Sequence, residues 1–514
     1  MDTFFNEIYN LVTSPIFLII AGILYFMYRD TSKNINGFRY VKYPFSSSIN
    51  PMRVVDGRMW TSTAIIRSRL NKKSEHDFYI GNFRYSPKVL QKCHMPTAFK
   101  TFNEKTKIYL QRNKLKQTTL VWGGMGSGKT VFFLNLLDQI DKYDNALIHD
   151  GGKLEMVSKL YNPMRDIIFN PYDNRATIHN LLNEDTAIQL HFFELLLKSK
   201  SGKEVNFFST GASEHLRNIS LSTNAQNFHT TKKKWAYFMD RVEALINDVM
   251  INGESKSERD VVATLKQVLT PLQLMNFRIQ NGANTFTINN FLDRNHAAKL
   301  FVSYPPALRP IVQNISSAFI ALFTMVHLSR EDTKKKHHLY LIDELSSYLR
   351  MLNDTETLKD QVELLRSKGG IFIGGLQGDD EEEKYNQILD KTVHQKFYFR
   401  TDGLKTKESL IKKVGKVKYI YANKTKSINA SKQDGGRTYT LANADTNVIK
   451  EDDFLALGDK YEYIAIIGDI LYRGYTPLPL DELNGNKRAE PFIEYRYRKN
   501  FEDLLAEKYD KLSV

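Results

Sequence analysis

The sequence predicts an α/β fold: a mainly parallel sheet, an all-helical insertion within it, and an N-terminal transmembrane helix. Three observations carry this reading. Short apolar runs of strand length alternate with helical patterns over most of the chain. Residues 185–295 break that rhythm with helical periodicity alone. An uncharged apolar run lies close to the N-terminus. At 514 residues, the chain exceeds the size at which one core stops growing, so two or more domains are expected. The single cysteine, Cys93, excludes a disulfide framework and suits a reducing compartment. It reads as an inert buried-type thiol.

Pro15 to Tyr28 reads PIFLIIAGILYFMY, without a charge. Those residues alone fall short of the ~30 Å hydrocarbon core. Extended back to Ile8, the helix reaches about 31 Å and takes in Asn10, Thr13 and Ser14 near one interface. Asp2 and Glu7 occupy the place of a basic n-region, and no Ala-x-Ala site follows, which argues against a cleaved signal. Arg29, Lys33, Arg39 and Lys42 flank the C-terminal side only, so the bulk of the chain is expected in the cytoplasm. The alternative is a buried helix of a soluble domain.

Residues 31–116 carry 18 Lys and Arg against Asp56, Glu75, Asp77 and Glu104, a net of +14 and the whole formal charge of the chain. Such a block suits an anionic surface, lipid headgroups or nucleic acid. A solvated basic face is the plainer reading.

Thr118 to Trp122 is a short apolar strand that runs into Gly123-Gly124-Met125-Gly126-Ser127-Gly128-Lys129-Thr130 and then the apolar helix pattern VFFLNLL. This is G-x-x-x-x-G-K-[ST] in strand–loop–helix context. Glycines let backbone N–H groups wrap phosphates, and the helix N-terminus adds partial positive charge. Lys129 is expected on the β- and γ-phosphates, and Thr130 on Mg²⁺. The core therefore reads as a RecA-like P-loop NTPase using ATP and Mg²⁺.

His338 to Ile342 is a buried-strand pattern that ends in Asp343-Glu344. Ligands gather at the C-terminal ends of parallel strands. Asp343 is expected in the Mg²⁺ shell and Glu344 as the group that polarises attacking water. Further strands are expected at Ala146–His149, Asp166–Asn170, Leu300–Tyr304, Ile371–Leu376, Lys396–Arg400 and Tyr463–Gly468. Phe78, Tyr79, Phe83 and Tyr85 also read as strand residues.

Within 185–295, Trp235, Phe238, Met239, Val242, Leu245, Ile246, Val249 and Met250 fall on one helical face. Ser255 and Glu258 form a capping-box pattern ahead of Val261, Val262, Leu265, Val268 and Leu269. Lys405 to Lys432 is a second basic stretch that mixes Gly, Ser, Asn and Thr, and it reads as a mobile loop, phosphate-tracking or simply solvated. The expected divisions are 1–30 anchor, 31–116 basic segment, 117–184 and 296–484 nucleotide-binding domain, 185–295 helical domain and 485–514 charged tail.

Several motifs together resemble the coupling ATPases of type IV secretion and conjugation systems, the TraD and TrwB kind, over about residues 80–480. They are the P-loop, Asn170-Pro171-Tyr172-Asp173, Pro306-Ala307-Leu308-Arg309-Pro310, Leu341 to Leu345, Leu364 to Gly370 and Gly374-Gly375-Leu376-Gln377. The resemblance implies a homo-hexameric ring under the bacterial inner membrane, with DNA in its channel. It implies a relaxase or DNA-processing complex as cargo and the secretion channel as partner. It assigns Arg366 as a trans-acting arginine finger and Gln377 as a polar link between nucleotide and channel. Two departures stand out: one membrane span where members commonly have two, and Gly378 where the family often has a hydroxyl residue. An FtsK or HerA type DNA translocase is the nearer rival. A cargo-docking receptor that uses nucleotide without pumping is the other class.

Overall fold

The computed structural model describes residues 52–56, 60–61, 63–70, 78–83, 107–110, 118–139, 145–150, 152–201, 207–252, 255–294, 297–333, 336–345, 362–377, 393–401, 403–426, 437–455, 457, 461–476 and 489–512. The expected anchor at 8–28, Cys93 and most of the basic segment lie outside them.

In chain order the elements begin with β1 (Met52–Asp56), α1 (Thr63–Leu70), β2 (Phe78–Phe83), β3 (Lys107–Leu110), β4 (Thr118–Trp122) and α2 (Lys129–Asp138). Next come β5 (Asn145–His149), α3 (Glu155–Leu160), β6 (Ile167–Ile168), β7 (Ile178–His179), α4 (Thr186–Ser201), α5 (Phe207–Asn224), α6 (Thr231–Asn252) and α7 (Lys256–Gln280). They are followed by β8 (Thr285–Phe286), α8 (Ile288–Leu292), β9 (Lys299–Phe301), α9 (Arg309–Leu328), β10 (His338–Ile342), β11 (Gly370–Leu376) and β12 (Val393–Phe399). The last are α10 (Leu404–Val414), β13 (Lys416–Lys426), β14 (Arg437–Asn447), α11 (Glu451–Leu455), β15 (Glu462–Ile467), β16 (Ile470–Tyr475) and α12 (Arg498–Leu512).

The chain divides into two compact units, the larger comprising residues 63–83, 102–406 and 457–514. Its centre is an eleven-stranded sheet in the order β3-β2-β16-β15-β12-β4-β11-β10-β5-β9-β6. From β12 to β6 every neighbouring pair is parallel, and β15, β16, β2 and β3 extend the sheet antiparallel. The expectation of a mainly parallel sheet holds. The central strands β4, β5, β10 and β11 are buried at every position, which is why they read as continuous apolar runs.

Helices cover both faces, as the register shows. Tyr340 lies on the face shared by Phe372, Gly374, Leu120 and Tyr398. Phe323 of α9 meets Tyr340 at 5.8 Å on that face. Phe132 of α2 meets Phe397 at 4.8 Å and Phe399 at 5.9 Å on the other. Among the described residues α9 belongs to the one helix long and apolar enough to cross a membrane, and it is largely buried in this core.

Helices α4 to α7 lie between β7 and β8, which pair with each other in a small parallel sheet. Ser255 caps α7 through the Glu258 N–H, with the Glu258 carboxylate returning to the Ser255 N–H, the capping box that the pattern predicts. Trp235, Phe238, Met239, Val242 and Ile246 of α6 are buried, whereas Met250 is exposed because the stripe outruns its partners at the helix end. At the chain's other end, the Arg278 guanidinium of α7 stacks 3.9 Å from the Tyr495 ring and donates to the carbonyls of Pro171 and Asp173.

The smaller unit corrects one expectation. Residues 405–426 are not a loop, while 427–432 lie outside the described residues: α10 is followed by β13, which pairs antiparallel with all of β14 and with β1. Val417 is buried while Lys416 and Lys418 are exposed, so the basic residues alternate with apolar ones as a half-buried strand does. The polar composition hid this, because the strand needs partners that are distant in sequence. The Trp60 indole N–H donates to the Val448 carbonyl at 3.1 Å within the same unit.

Two buried histidines make the larger unit acid-sensitive. His327 bonds the Tyr340 hydroxyl at 2.6 Å and the Lys368 carbonyl at 2.9 Å. Burial lowers its pKa from 6.5 to about 4, and burial also holds His338, 4.7 Å away ring to ring, well below 6.5. Both are neutral in the fold, whereas the unfolded chain protonates them below about pH 6.5. The unfolded chain then binds more protons, so stability falls as pH drops from 6.5 towards 4. His327→Gln should flatten that fall in thermal melts run across this window. Identical pH slopes in the two proteins would contradict it.

Candidate active site

Strand β4 delivers the glycine loop to the C-terminal edge of the sheet. The Gly123 N–H donates to the Leu376 carbonyl of β11 at 3.3 Å, and the Gly124 N–H to the Arg400 carbonyl after β12 at 3.0 Å. The loop is thus pinned to both neighbours of β4. Gly126 and Gly128 have φ of +70° and +108°, a left-handed conformation that a side chain resists. A Cβ on Gly128 would also lie 2.8 Å from the Tyr461 ring. Met125 stands outward, 91% exposed, so its side chain takes no part in the loop's packing.

Lys129 opens α2 and is buried, its ammonium donating to the carbonyls of Gly123 and Gly124. Burial lowers its pKa to about 8, against the opposing pull of Asp343. Thr130 follows, half-buried in the first turn of the helix. Backbone N–H groups, a helix N-terminus and a buried ammonium at one point suit a chain of phosphates.

Asp343 follows β10, its N–H donating to the His149 carbonyl at 2.8 Å. Its Oδ2 pairs with Lys153 at 2.9 Å, and its Oδ1 is buried with no hydrogen-bond partner. Gly375 on β11 makes room: a Cβ there would come 2.9 Å from that Oδ1. An orphaned carboxylate oxygen beside a threonine-bearing phosphate loop fits a hard cation such as Mg²⁺. Glu344 is partly exposed next to it, its Oε1 3.6 Å from the Arg309 guanidinium. That pair is long and wet, so it leaves the Glu344 carboxylate available.

Gln377, half-buried at the end of β11, lies at the same sheet edge. Arg366 does not. It sits on the helical turn 362–367, before β11, and β11 separates it from that edge by roughly 20 Å. Its side chain is exposed and makes no ion pair with a described residue, Glu363 included. The neighbouring Lys368 pairs with Asp332 at 2.8 Å.

The structure adds residues that the sequence reading did not single out. Asp150, at the end of β5, is buried, and burial reinforced by the nearby Asp343 raises its pKa to about 6. Lys153 pairs with Asp343 from a turn flanked by two left-handed residues, Gly152 at φ +100° and Leu154 at φ +56°. Tyr461, at φ +68°, is the other non-glycine residue with positive φ among the described residues, and it borders the loop at Gly128. Asp150 carried a signal, an acid closing a buried strand as Asp343 does. Tyr461 carried none.

The family described as the type IV secretion-system coupling protein DNA-binding domain matches residues 104–472, most of the chain. The chain belongs to this coupling-protein family. Solved structures of the plasmid coupling protein TrwB share the fold. The unbound monoclinic form of the bacterial conjugative coupling protein TrwBdeltaN70 superposes with a TM-score of 0.59 at 17% identity, covering 88% of this chain and 98% of that one. TrwB with the non-hydrolysable ATP analogue ADPNP gives 0.60 at 17% identity, covering 88% and 99%. TrwB with ADP and Mg²⁺ gives 0.57 at 16%, covering 88% and 99%. No curated protein sequence matches the chain significantly. In this coupling protein the loop, the acid pair and Gln377 meet at one sheet edge, and Arg366 stands at the other.

Proposed function

We propose that the chain is an ATP-driven DNA-transfer motor, which hydrolyses ATP to recruit and move relaxase-bound DNA into a type IV secretion channel. The observation that carries this is the convergence of Lys129, Thr130, Asp343 and Glu344 on one sheet edge in a coupling-family fold. The loop N–H groups, the α2 terminus and Lys129 bind the β- and γ-phosphates and hold negative charge as it develops. Thr130 and Asp343, through its Oδ1, would hold Mg²⁺, which when bound neutralises phosphate charge. Glu344 takes the proton from the attacking water, so the products are ADP and phosphate. Gln377 lies where a shift in the phosphates reaches β11. Arg366 lies exposed before the opposite end of β11 from its own site, which leaves it to a neighbour's nucleotide in a homo-hexamer.

DNA should raise ATP turnover, and DNA affinity should fall with salt at a slope of about −0.9 per neutralised phosphate. Steady-state hydrolysis with and without duplex DNA of unrelated sequences measures this. Nucleotide binding without DNA-stimulated turnover would favour a docking receptor instead. A flat salt dependence would remove the phosphate-tracking basis.

Residues 8–28 form a single-pass inner-membrane anchor in this proposal, with the bulk cytoplasmic. Deleting residues 1–30 should release the protein from membranes and leave nucleotide binding intact. Full-length protein that fractionates as soluble at low salt would refute the anchor.

A further inference from the structure

The two flanks of the glycine loop are not equivalent. On one side of β4 stand β11 and then β10, whose end carries Asp343. On the other stand β12 and then β15. Strand β15 runs antiparallel to β12, with Tyr463 opposite Phe399, so its start lies at the C-terminal end of the parallel strands. Tyr461 immediately precedes that start. Asp343 and Tyr461 therefore occupy the same sheet edge, each two strands from β4, roughly 10 Å to either side.

A nucleoside triphosphate is equally lopsided. Its γ end goes with the cation, and Asp343 with its orphaned Oδ1 marks that flank. The nucleoside end then leaves the loop on the flank of Tyr461. The Tyr461 N–H donates to the Ser127 carbonyl at 3.3 Å, and its own carbonyl accepts from the Thr476 N–H at 2.8 Å. These bonds hold the residue across Gly128, with Cδ1 2.8 Å from where a Cβ on Gly128 would stand. The side chain is half-buried, packed on the helix start yet partly open. A φ of +68° costs energy for an aromatic residue, and glycine or asparagine would make this turn more readily. The turn alone therefore does not call for a ring at this position.

We propose that Tyr461 is the nucleobase-binding residue of the site, its ring offering a stacking face to the base of a nucleoside triphosphate held by the loop. The proposal rests on the nucleotide reading above and deepens it. Aromatic stacking on a base needs no particular hydrogen-bond pattern, so one ring suffices to tell a nucleotide from a bare phosphate chain.

The test compares ATP with inorganic tripolyphosphate, both with Mg²⁺, by titration calorimetry on the full chain. Tyr461→Leu keeps apolar bulk on Gly128 but removes the ring. It should weaken ATP roughly tenfold and leave tripolyphosphate unchanged. Tyr461→Phe should match the wild type with both. ATP and tripolyphosphate weakening together would show that Tyr461 only props the loop, and an unchanged ATP affinity would show that the base lies elsewhere. Either result overturns the proposal. If Tyr461→Leu does not fold, Tyr461→Trp carries the test: ATP should quench the added fluorescence and tripolyphosphate should not, and equal quenching overturns it. Wild-type protein that binds neither ligand would overturn the nucleotide reading itself, a result distinct from failure of the stacking role.

Discussion

Arg366→Ala should bind ATP with wild-type affinity and lose turnover by about 10³- to 10⁵-fold. The loop supplies cations to the phosphates from one side, and a second positive charge is needed as negative charge builds on the transferring group. Arg366 stands about a strand's length from its own loop, so it cannot fill that role within one chain. In the finger role proposed for it, it would act across an interface. Lys129→Ala should lose activity for a different reason, because its own loop would no longer hold the phosphates. Mixing the two inactive proteins should therefore restore partial turnover, through interfaces that pair an intact loop with an intact Arg366. Normal hydrolysis by Arg366→Ala, or no recovery on mixing, would remove it as the finger.

Glu344→Gln should also keep ATP binding and lose about 10²- to 10⁴-fold in turnover, since an amide of the same shape cannot accept the water's proton. The metal ligand proposed here is the neighbouring Asp343, so the two acids separate experimentally. Asp343→Asn should raise the Mg²⁺ concentration needed for nucleotide binding, whereas Glu344→Gln should not. Asp150 offers a built-in control, because burial places its pKa at about 6, within reach of base chemistry. Turnover that survives Glu344→Gln but fails in Asp150→Asn would move the base to Asp150.

The parallel strands were legible because burial on both faces writes itself as a continuous apolar run. Ala146–His149 was expected and Asn145–His149 is found; Ile371–Leu376 was expected and Gly370–Leu376 is found. The capping box at Ser255 was legible for a related reason, since both of its bonds are local. Strand β13 was not legible. Its Lys, Asn and Thr residues look like a loop until β14 and β1 pair with it, and nothing local announces that pairing. Strands β3 and β16 were missed as well: β3 is a short edge strand, and β16 pairs with the adjacent β15 and, over two residues, with the distant β2.

The sequence by itself determined the chemistry available to this protein. The phosphate loop is one contiguous stretch after a strand, and Asp343-Glu344 is another, so each functional group is written where its backbone context is written. Only the tertiary structure decided which of these groups share a site. Parallel register carries Asp343 to the loop edge beside His149 and sets Gly375 against its carboxylate. The same register puts Gln377 at that edge and leaves Arg366 on the helical turn before the far end of β11. The turn after β5 sets Lys153 against Asp343, and an antiparallel strand returns Tyr461 to Gly128 from a distant segment. The physical reason is range. Composition and spacing report interactions between neighbours in sequence, whereas these contacts exist only once strand pairing has fixed the register between distant segments.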